Sequence, residues 1–568
     1  MRIWGSRRGI NLIYPALAAV LTWPLAAHLT DRLAYGTEDA TTVGQFNLWT
    51  LRWNQDRAGH LFAHYWDAPI FHPTAGAFGL SEPQPLTGLV FAPLAWLTGN
   101  PVLAANLVTL AILALNGWAA ARLARHLGVA DGPALLAAVL AQALPFVMNQ
   151  MGVLQLTVVF PLFLLIDAIL RWARADTERR RAAVEVGVWV SVTFLTCGYY
   201  GLFAVVAVGG PALVLGGRGW VRRERLVDLG IAAGIFAVTA LPIVVAQGRI
   251  TDDYHRSDEV IEGLSAEAGD FWHLDPHAHG AGFLPWVGDD AGHQPLYPGT
   301  VLLGLGLVGL VLLVLRWDDG SDDSDGSDDS DGSRQRRRIV IFLGLGAALA
   351  RVLALGLTLH LGGWQPYHLL QDFVPGFASL RSPFRFAVIG EVFLVALAAF
   401  ALDALWRKHA AVKVVAVAIV ALGVLEVGIM PVRLFSVDQA TPDWADWLGD
   451  KEHAGTDNPV VAFLPFPPHN GVAAYEETAT RMLQSLDEHI ATVNGYSGLF
   501  PTQYDELEPV MRLYPTDGAD DMLADRGVSH LVVDEAWLQD RAGAREWLSY
   551  EYDLVFTGED TEIYASRD

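Results

Sequence analysis

From about residue 10 to residue 431 the chain alternates long apolar runs with short hydrophilic gaps. A run of about 20 apolar residues is long enough to cross a bilayer as a helix. The pattern predicts about eleven such helices, near 10–29, 102–123, 132–150, 152–172, 183–198, 200–217, 226–247, 297–315, 339–360, 385–406 and 412–431. The first run follows a basic N-terminus, but it is long and many more runs follow, so it predicts a retained span rather than a cleaved leader. Pro85–Gly99 is apolar yet only about 15 residues long and carries two prolines, which predicts a re-entrant or interfacial helix.

Beyond about residue 435 the period changes. Val460–Phe463 and His530–Val533 are short runs rich in β-branched residues, the second after a turn at Gly527. Ala473–Leu486 and Tyr504–Leu513 carry helical patterns, and Val555–Tyr564 predicts a hairpin around Gly558-Glu559-Asp560. The expectation is a predominantly α-helical polytopic membrane protein with a C-terminal soluble α/β domain. No internal repeat is evident, which weakens an inverted-repeat transporter.

Charge orients this pattern. Every second gap is basic: Arg2/Arg7/Arg8, Arg122/Arg125/His126, Arg171 to Arg181, Arg218 to Arg225, Arg334 to Arg338 and Arg407 to Lys413. Lys and Arg near span ends favour the cytoplasmic side. The N-terminus is therefore expected inside, in the cytoplasmic (inner) membrane, and the C-terminus outside, in the periplasm or extracellular space. The domain expectation is a membrane domain over 1–431, with outside loops at 30–99, 248–296 and 361–384, and an acidic extracytoplasmic domain over 432–568. Asp318–Ser333 (DDGSDDSDGSDDSDGS) has no apolar residue and repels itself, predicting a disordered cytoplasmic linker.

Composition agrees. The chain is 52% hydrophobic and 18% charged, against about 25% charged for a soluble protein. The net charge is −24, and from residue 432 onward 27 acidic residues face only 8 basic ones, so most of the acidity lies in the tail. No nucleic-acid footprint is present. The single cysteine, Cys197, excludes an intramolecular disulfide and a CxxC metal site.

Four groups of residues carry candidate chemistry. The first outside loop opens on Gly36-Thr37-Glu38-Asp39 and continues with Asp56, Asp67, His72 and Glu82 among tryptophans. A carboxylate pair just outside a membrane can act as a general base, or simply be a solvated cap of the loop. Second, Arg381 and Arg385, four residues apart within Pro375–Phe386, lie on the side that the topology keeps poor in arginine. Guanidiniums suit bidentate recognition of phosphate, so this pair is a candidate lipid-phosphate site; snorkelling to headgroups or pairing with Asp372 is the plainer alternative. Third, the loop 248–296 holds His273, Asp275 and His277, whose spacing matches no zinc signature and instead suggests a polar substrate-lining loop, together with Glu82. Fourth, Arg351, Glu391 and Glu426 fall within predicted spans, where ionisable groups are costly, and are either functional or paired with one another. No metal site is assigned and no cofactor is certain, though a divalent cation has room in this chemistry. A Gly-rich phosphate loop, a Gly-x-Ser-x-Gly elbow and a His-Glu-x-x-His motif are absent.

The sequence resembles the GT-C superfamily of polytopic membrane glycosyltransferases. The resemblance is carried by Glu38-Asp39 with Phe46–Trp53, by Asn100–Leu107 leading to Ala121–Arg125, by Pro375–Phe386, and by Asn494–Gly498 and Gly527–Val533. It implies transfer of a sugar from a polyprenyl-phosphate donor to an envelope glycan, lipid or protein acceptor outside the membrane, with inversion. Asp39 matches the position of the base, with Glu38 the competing choice; the order of this acidic pair differs from that of the better-known members. A non-enzymatic transporter or flippase for lipid-linked polymers would instead need a polar path through Arg351, Glu391 and Glu426, and an assembly scaffold would act through its tail.

Overall fold

The computed structural model describes residues 12–36, 40–174, 178–216, 220, 222–251, 257–284, 294–315 and 330–567. It contains two compact units, Met1–Ala27 with Leu107–Val245 and Tyr254–Arg433, and His28–Asn106 with Ala246–Asp253 and Leu434–Asp568. This division differs from the sequence boundary at 431/432, because the expected first outside loop shares a unit with the tail.

Among the described residues seven helical segments are long and apolar enough to cross a membrane: Pro101–His126, Asp131–Asn149, Leu154–Ala173, Gly198–Gly216, Arg223–Ile250, Pro383–Trp406 and Ala410–Val427. The other expected spans form helices with weaker credentials. Ile13–Leu21 has 9 residues and Thr300–Leu315 has 16. Arg179–Thr196 opens on three arginines, and Ser330–Ala354 carries Arg334, Arg336, Arg337 and Arg338 in its first half. That last helix already begins at Ser330, within the stretch expected as a linker; residues 318–329 lie outside the described residues.

In the first unit the helix Ala387–Trp406 is apolar all round and buried along most of its length, as a central helix must be. Its neighbours approach through glycine. A Cβ on Gly309 would sit 1.9 Å from the Leu397 carbonyl oxygen, and one on Gly346 would meet the Phe393 ring at 2.4 Å. Small residues at such contacts let helix backbones close up where lipid offers no hydrophobic drive. The region 143–159 is not one helix. Pro145 and Pro161 have no N–H and disfavour helix before them, so the chain runs as Asp131–Gln142, Pro145–Asn149, a 3₁₀ turn Leu154–Thr157 and Phe160–Ala173. Asn116 repairs the break: its Nδ2 donates to the Thr157 carbonyl at 2.9 Å, and its Oδ1 accepts from the Val159 and Phe160 N–H groups at 3.2 and 2.8 Å. The Tyr200 hydroxyl donates to the Leu156 carbonyl at 2.8 Å.

In the second unit, strands β1 (Arg32–Ala34) and β2 (Leu434–Ser436) pair antiparallel. A five-stranded sheet follows in sequence: β3 Val460–Leu464, β4 Ala491–Thr492, β5 His530–Asp534, β6 Tyr552–Thr557 and β7 Thr561–Ser566, in spatial order β4-β3-β5-β7-β6. β3 runs parallel to β4 and β5, while β5 and β6 flank β7 antiparallel. β3 and β5 coincide with the β-branched runs of the sequence, β6 and β7 form the expected hairpin with Gly558–Asp560 at its turn, and β4 is a short strand the sequence pattern did not mark. Trp444, Leu448, Val461, Phe463, Ile490, Val532 and Ile563 form its core. The segment 69–72 joins the β4 edge: His72 N–H donates to the Thr492 carbonyl at 2.9 Å and Thr492 N–H to the Pro69 carbonyl at 3.1 Å. The helix Thr42–Gly59 is fastened to the same body by Thr42 Oγ1 donating to the Val472 carbonyl at 2.7 Å.

His530, buried on central strand β5, is held below its ordinary pKa of 6.5 by burial. The folded state therefore resists a proton that the unfolded chain accepts. His530 contributes its full share of stability above pH 6.5, and that share is lost as pH falls through its depressed folded value. The melting temperature of the detergent-solubilised protein should fall as pH drops below 6.5, and His530→Gln should make that fall shallower; an unchanged pH profile in the variant would reject this assignment.

Candidate functional site

Asp39 and Glu38 lie outside the described residues. The residues that follow them are fixed within the second unit, where Thr41 N–H donates to Glu476 Oε1 at 2.6 Å. The remaining polar residues of this loop serve largely as ties. Asp67 Oδ1 accepts from the Gly76 N–H at 3.0 Å. Burial alone would raise the Asp56 carboxyl, but His489, 3.2 Å away, and Arg57 outweigh it and hold it below the ordinary value. Burial likewise keeps His72 below its ordinary value. Glu82 is half-buried in the connection between the 3₁₀ turn Ala77–Leu80 and the helix Pro85–Thr98.

In the first unit the arginine segment forms a compact constellation. Gly376, at φ +91°, allows the turn after Pro375 that most side chains disfavour. Two 3₁₀ turns, Phe377–Ser379 and Pro383–Phe386, then lead straight into the helix Ala387–Trp406. Phe377 and Phe386 are fully buried and Phe384 is buried. Phe386 stacks on Phe203 with ring centroids 3.6 Å apart and planes within 9°. Phe377 adjoins both rings, and Phe384 meets Phe146 at 6.1 Å. The Phe384 N–H also donates to the Leu264 carbonyl at 3.3 Å.

Tyr199, at the start of the helix Gly198–Ala207, touches both arginines. Its hydroxyl accepts from the backbone N–H of Arg381 at 3.3 Å, and its ring lies under the Arg385 guanidinium at 4.6 Å from the centroid. Both arginines are half-buried. Neither forms an ion pair with a carboxylate among the described residues, so the alternative pairing with Asp372 is not made. The Arg385 Nε is buried without a hydrogen-bond partner among them. Aromatic faces favour a cation electrostatically while leaving its N–H groups unspent. The result is one cation, Arg385, held on an aromatic face with a donor left for an anion, and a second arginine, Arg381, four residues before it, tied through its backbone. Tyr367, beside Phe377, has a buried hydroxyl without a partner among the described residues; burial and the neighbouring Tyr199 push its pKa up, so it stays a neutral donor. Tyr199 was not singled out by sequence, since nothing local distinguishes it from the adjacent Tyr200.

The other expected residues lie elsewhere. His273 and Asp275 are buried, and Asp275 Oδ1 accepts from the His277 N–H at 2.8 Å and faces its Nδ1 at 3.0 Å, closing its own turn. No hydrogen bond or ion pair joins them to Arg381 or Arg385 among the described residues. Of the three charges in predicted spans, Glu426 is a helix cap: Oε1 and Oε2 accept from Thr300 and Val301 N–H at 2.7 and 3.3 Å, at the start of Thr300–Leu315. Arg351 approaches Gly390, the neighbour of Glu391, which is 1% exposed. Arg351 and Glu391 form no ion pair within 4 Å, so the alternative of a direct pair between them is not made. A polar path lined by all three charges therefore loses one member to a structural role.

A family model described as a domain of unknown function, DUF6311, matches residues 63–427. A search of curated proteins returns no match. Two solved structures share the architecture. One is the arabinofuranosyltransferase AftD from Mycobacteria, at 17% identity and a TM-score of 0.57 over 99% of this chain and 40% of that one. The other is the oligosaccharyltransferase AglB from Archaeoglobus fulgidus, solved with an inhibitory peptide and a dolichol-phosphate, at 12% identity and a TM-score of 0.54 over 99% of this chain and 74% of that one. The chain thus spans well under half of the arabinofuranosyltransferase. The likeness shows the fold, that of GT-C membrane proteins.

The aromatic support of the arginines should be measurable. Phe386→Ala should cost about 3–5 kcal/mol of stability, whereas Tyr199→Phe, which keeps the ring under Arg385 and loses one hydroxyl acceptor, should cost about 1 kcal/mol. Thermal unfolding in detergent reports both, and equal losses would contradict the stack as the main anchor.

Proposed function

The chain belongs to the DUF6311 family, and on that footing we propose that it is a membrane glycosyltransferase that takes a sugar from a polyprenyl-phosphate donor. The observation that carries the proposal is the Arg381/Arg385 pair in a chain of GT-C fold, with the Arg385 guanidinium over the Tyr199 ring, the Arg381 backbone tied to the Tyr199 hydroxyl, and neither side chain in an ion pair with a carboxylate among the described residues. The dolichol-phosphate bound to the archaeal neighbour is a ligand of this chemical class.

In this reading Asp39, or Glu38 beside it, takes the proton of the acceptor hydroxyl. The acceptor oxygen forms its bond to the anomeric carbon as the bond from that carbon to the phosphate oxygen breaks, and the configuration inverts. Negative charge grows on the departing lipid phosphate, where fixed guanidiniums stabilise the transition state more than the ground state. The acceptor is an envelope glycan, lipid or protein, the protein sits in the cytoplasmic membrane, and the tail lies on its outer side. Glu82, His273, Asp275 and His277 remain candidates for lining the substrate path, and a divalent cation would act only as an auxiliary to the donor phosphate.

Two variants test this reading separately. Arg385→Ala should weaken binding of polyprenyl phosphate itself by about tenfold or more, since a charge-assisted hydrogen bond is worth roughly 1.5–3 kcal/mol, and Arg385→Lys should recover part of the loss. Asp39→Asn should abolish sugar transfer while leaving that binding intact. Unchanged binding in the arginine variant would remove the phosphate site, and normal turnover in Asp39→Asn would remove the base.

A further inference from the structure

Within the second unit a cleft of about 210 Å³ opens between the helix Thr42–Gly59, the end of the helix Glu476–Gln484 and the segment 437–441 that follows β2. Leu48, Leu483 and Pro101 give it an apolar wall. Its polar groups come from stretches far apart in the chain. Arg52 belongs to the first helix, Gln484 and Asp487 to the end of the second and the turn after it, and Asp438 and Gln439 to the segment. None of them has a part in the proposed transfer.

The chain sets these groups in place. Arg52 donates from Nη1 to the Leu483 carbonyl at 3.3 Å and pairs through Nη2 with Asp487. Gln439 Nε2 donates to the Thr30 carbonyl at 2.8 Å, and Asp438 Oδ1 accepts from the Ala440 N–H at 3.0 Å. Gln484 is the exception. Its Oε1 is buried and has no hydrogen-bond partner among the described residues. A buried amide oxygen without a donor is costly, and native structures rarely leave one so.

Size and charge narrow what could complete it. Drug-sized ligands occupy about 300–1,000 Å³, so this cleft takes one ring rather than several. Two carboxylates against one guanidinium disfavour an anion. Among the described residues no aromatic ring lines the cleft to hold an ammonium ion, and Asp487 already faces a cation. What remains is carboxylate and amide groups on one side and aliphatic carbon on the other. A sugar ring has the matching surface, with hydroxyls on its rim and C–H groups on its faces. We infer that this cleft binds one neutral sugar ring of a glycan, its hydroxyls donating to Gln484, Asp487 and Asp438 and its C–H face lying against Leu48 and Leu483. The inference concerns binding by the second unit and does not rest on the transferase reading.

The test reads binding alone, on the full chain in phosphatidylcholine/phosphatidylglycerol nanodiscs, which avoid detergents with sugar headgroups. Saturation-transfer NMR with the methyl glycosides of glucose, mannose, galactose and arabinofuranose should show transfer to at least one of them. Gln484→Leu and Asp438→Ala should each weaken that binding about tenfold, the worth of one good hydrogen bond. Ala440→Trp, at an exposed position of the lining segment, fills the cleft without touching the core. It should abolish the transfer and leave the melting temperature unchanged. Absence of transfer to all four glycosides would overturn the inference. Transfer that survives Ala440→Trp would also overturn it, by placing the sugar elsewhere on the chain. Displacement of the bound glycoside by ethanolamine at lower concentration than by free sugar would overturn it in favour of an ammonium ligand.

Discussion

A helix that stops inside an apolar packing leaves N–H and C=O groups that no water reaches, and each must find a partner in the chain. The first unit is organised around this constraint. The break between Gln142 and Phe160 persists because Asn116 reaches across to satisfy one carbonyl and two N–H groups, and Tyr200 takes another carbonyl. The start of Thr300–Leu315 persists because Glu426 accepts from its first N–H groups. In the second unit Asn494 plays a similar part, accepting from the Phe463 N–H and donating to its carbonyl beside the short strand β4. Irregular backbone, which active sites need, is thereby kept at places where one polar side chain can complete it.

The arginine segment is another such place. It is neither helix nor strand between Val374 and Pro383 apart from one short turn, yet its aromatic residues are buried and stacked. Stacked rings fix its backbone without consuming the guanidinium donors, and Tyr199 reaches from a different helix to hold the Arg381 backbone and the Arg385 guanidinium. Pairing each arginine with a carboxylate would have been the commoner way to settle half-buried cations. It would also have neutralised the groups on which the proposed recognition of a phosphate rests. The fold is shared with AftD and AglB, while function, substrate and acceptor belong to the proposal made above.

The described residues also redistribute the roles suggested by sequence. Glu426 leaves the list of functional charges because its oxygens are occupied by a helix start, and Asp275 closes its own turn. Glu391 keeps its place as a buried carboxylate near Arg351, but not as half of a direct ion pair. The loop expected to stand alone before the membrane domain shares a unit with the tail, through β1 with β2 and through the segment 69–72 at the β4 edge.

The sequence by itself determined what local periodicity and chemistry can determine. Apolar runs marked the helices and the membrane class, β-branched runs marked β3 and β5, Gly558–Asp560 marked the hairpin, and the basic side chains at 381 and 385 stood out against the charge pattern. Only the tertiary structure decided which distant residues complete them. Tyr199 meets Arg381 across 182 positions and Glu426 caps Thr300 across 126; β1 pairs with a strand that begins at Leu434. Periodicity reports which face of an element is apolar, but it carries no information about which of many apolar faces meet. A polar side chain's role is fixed by the partner that such a meeting brings within hydrogen-bond distance.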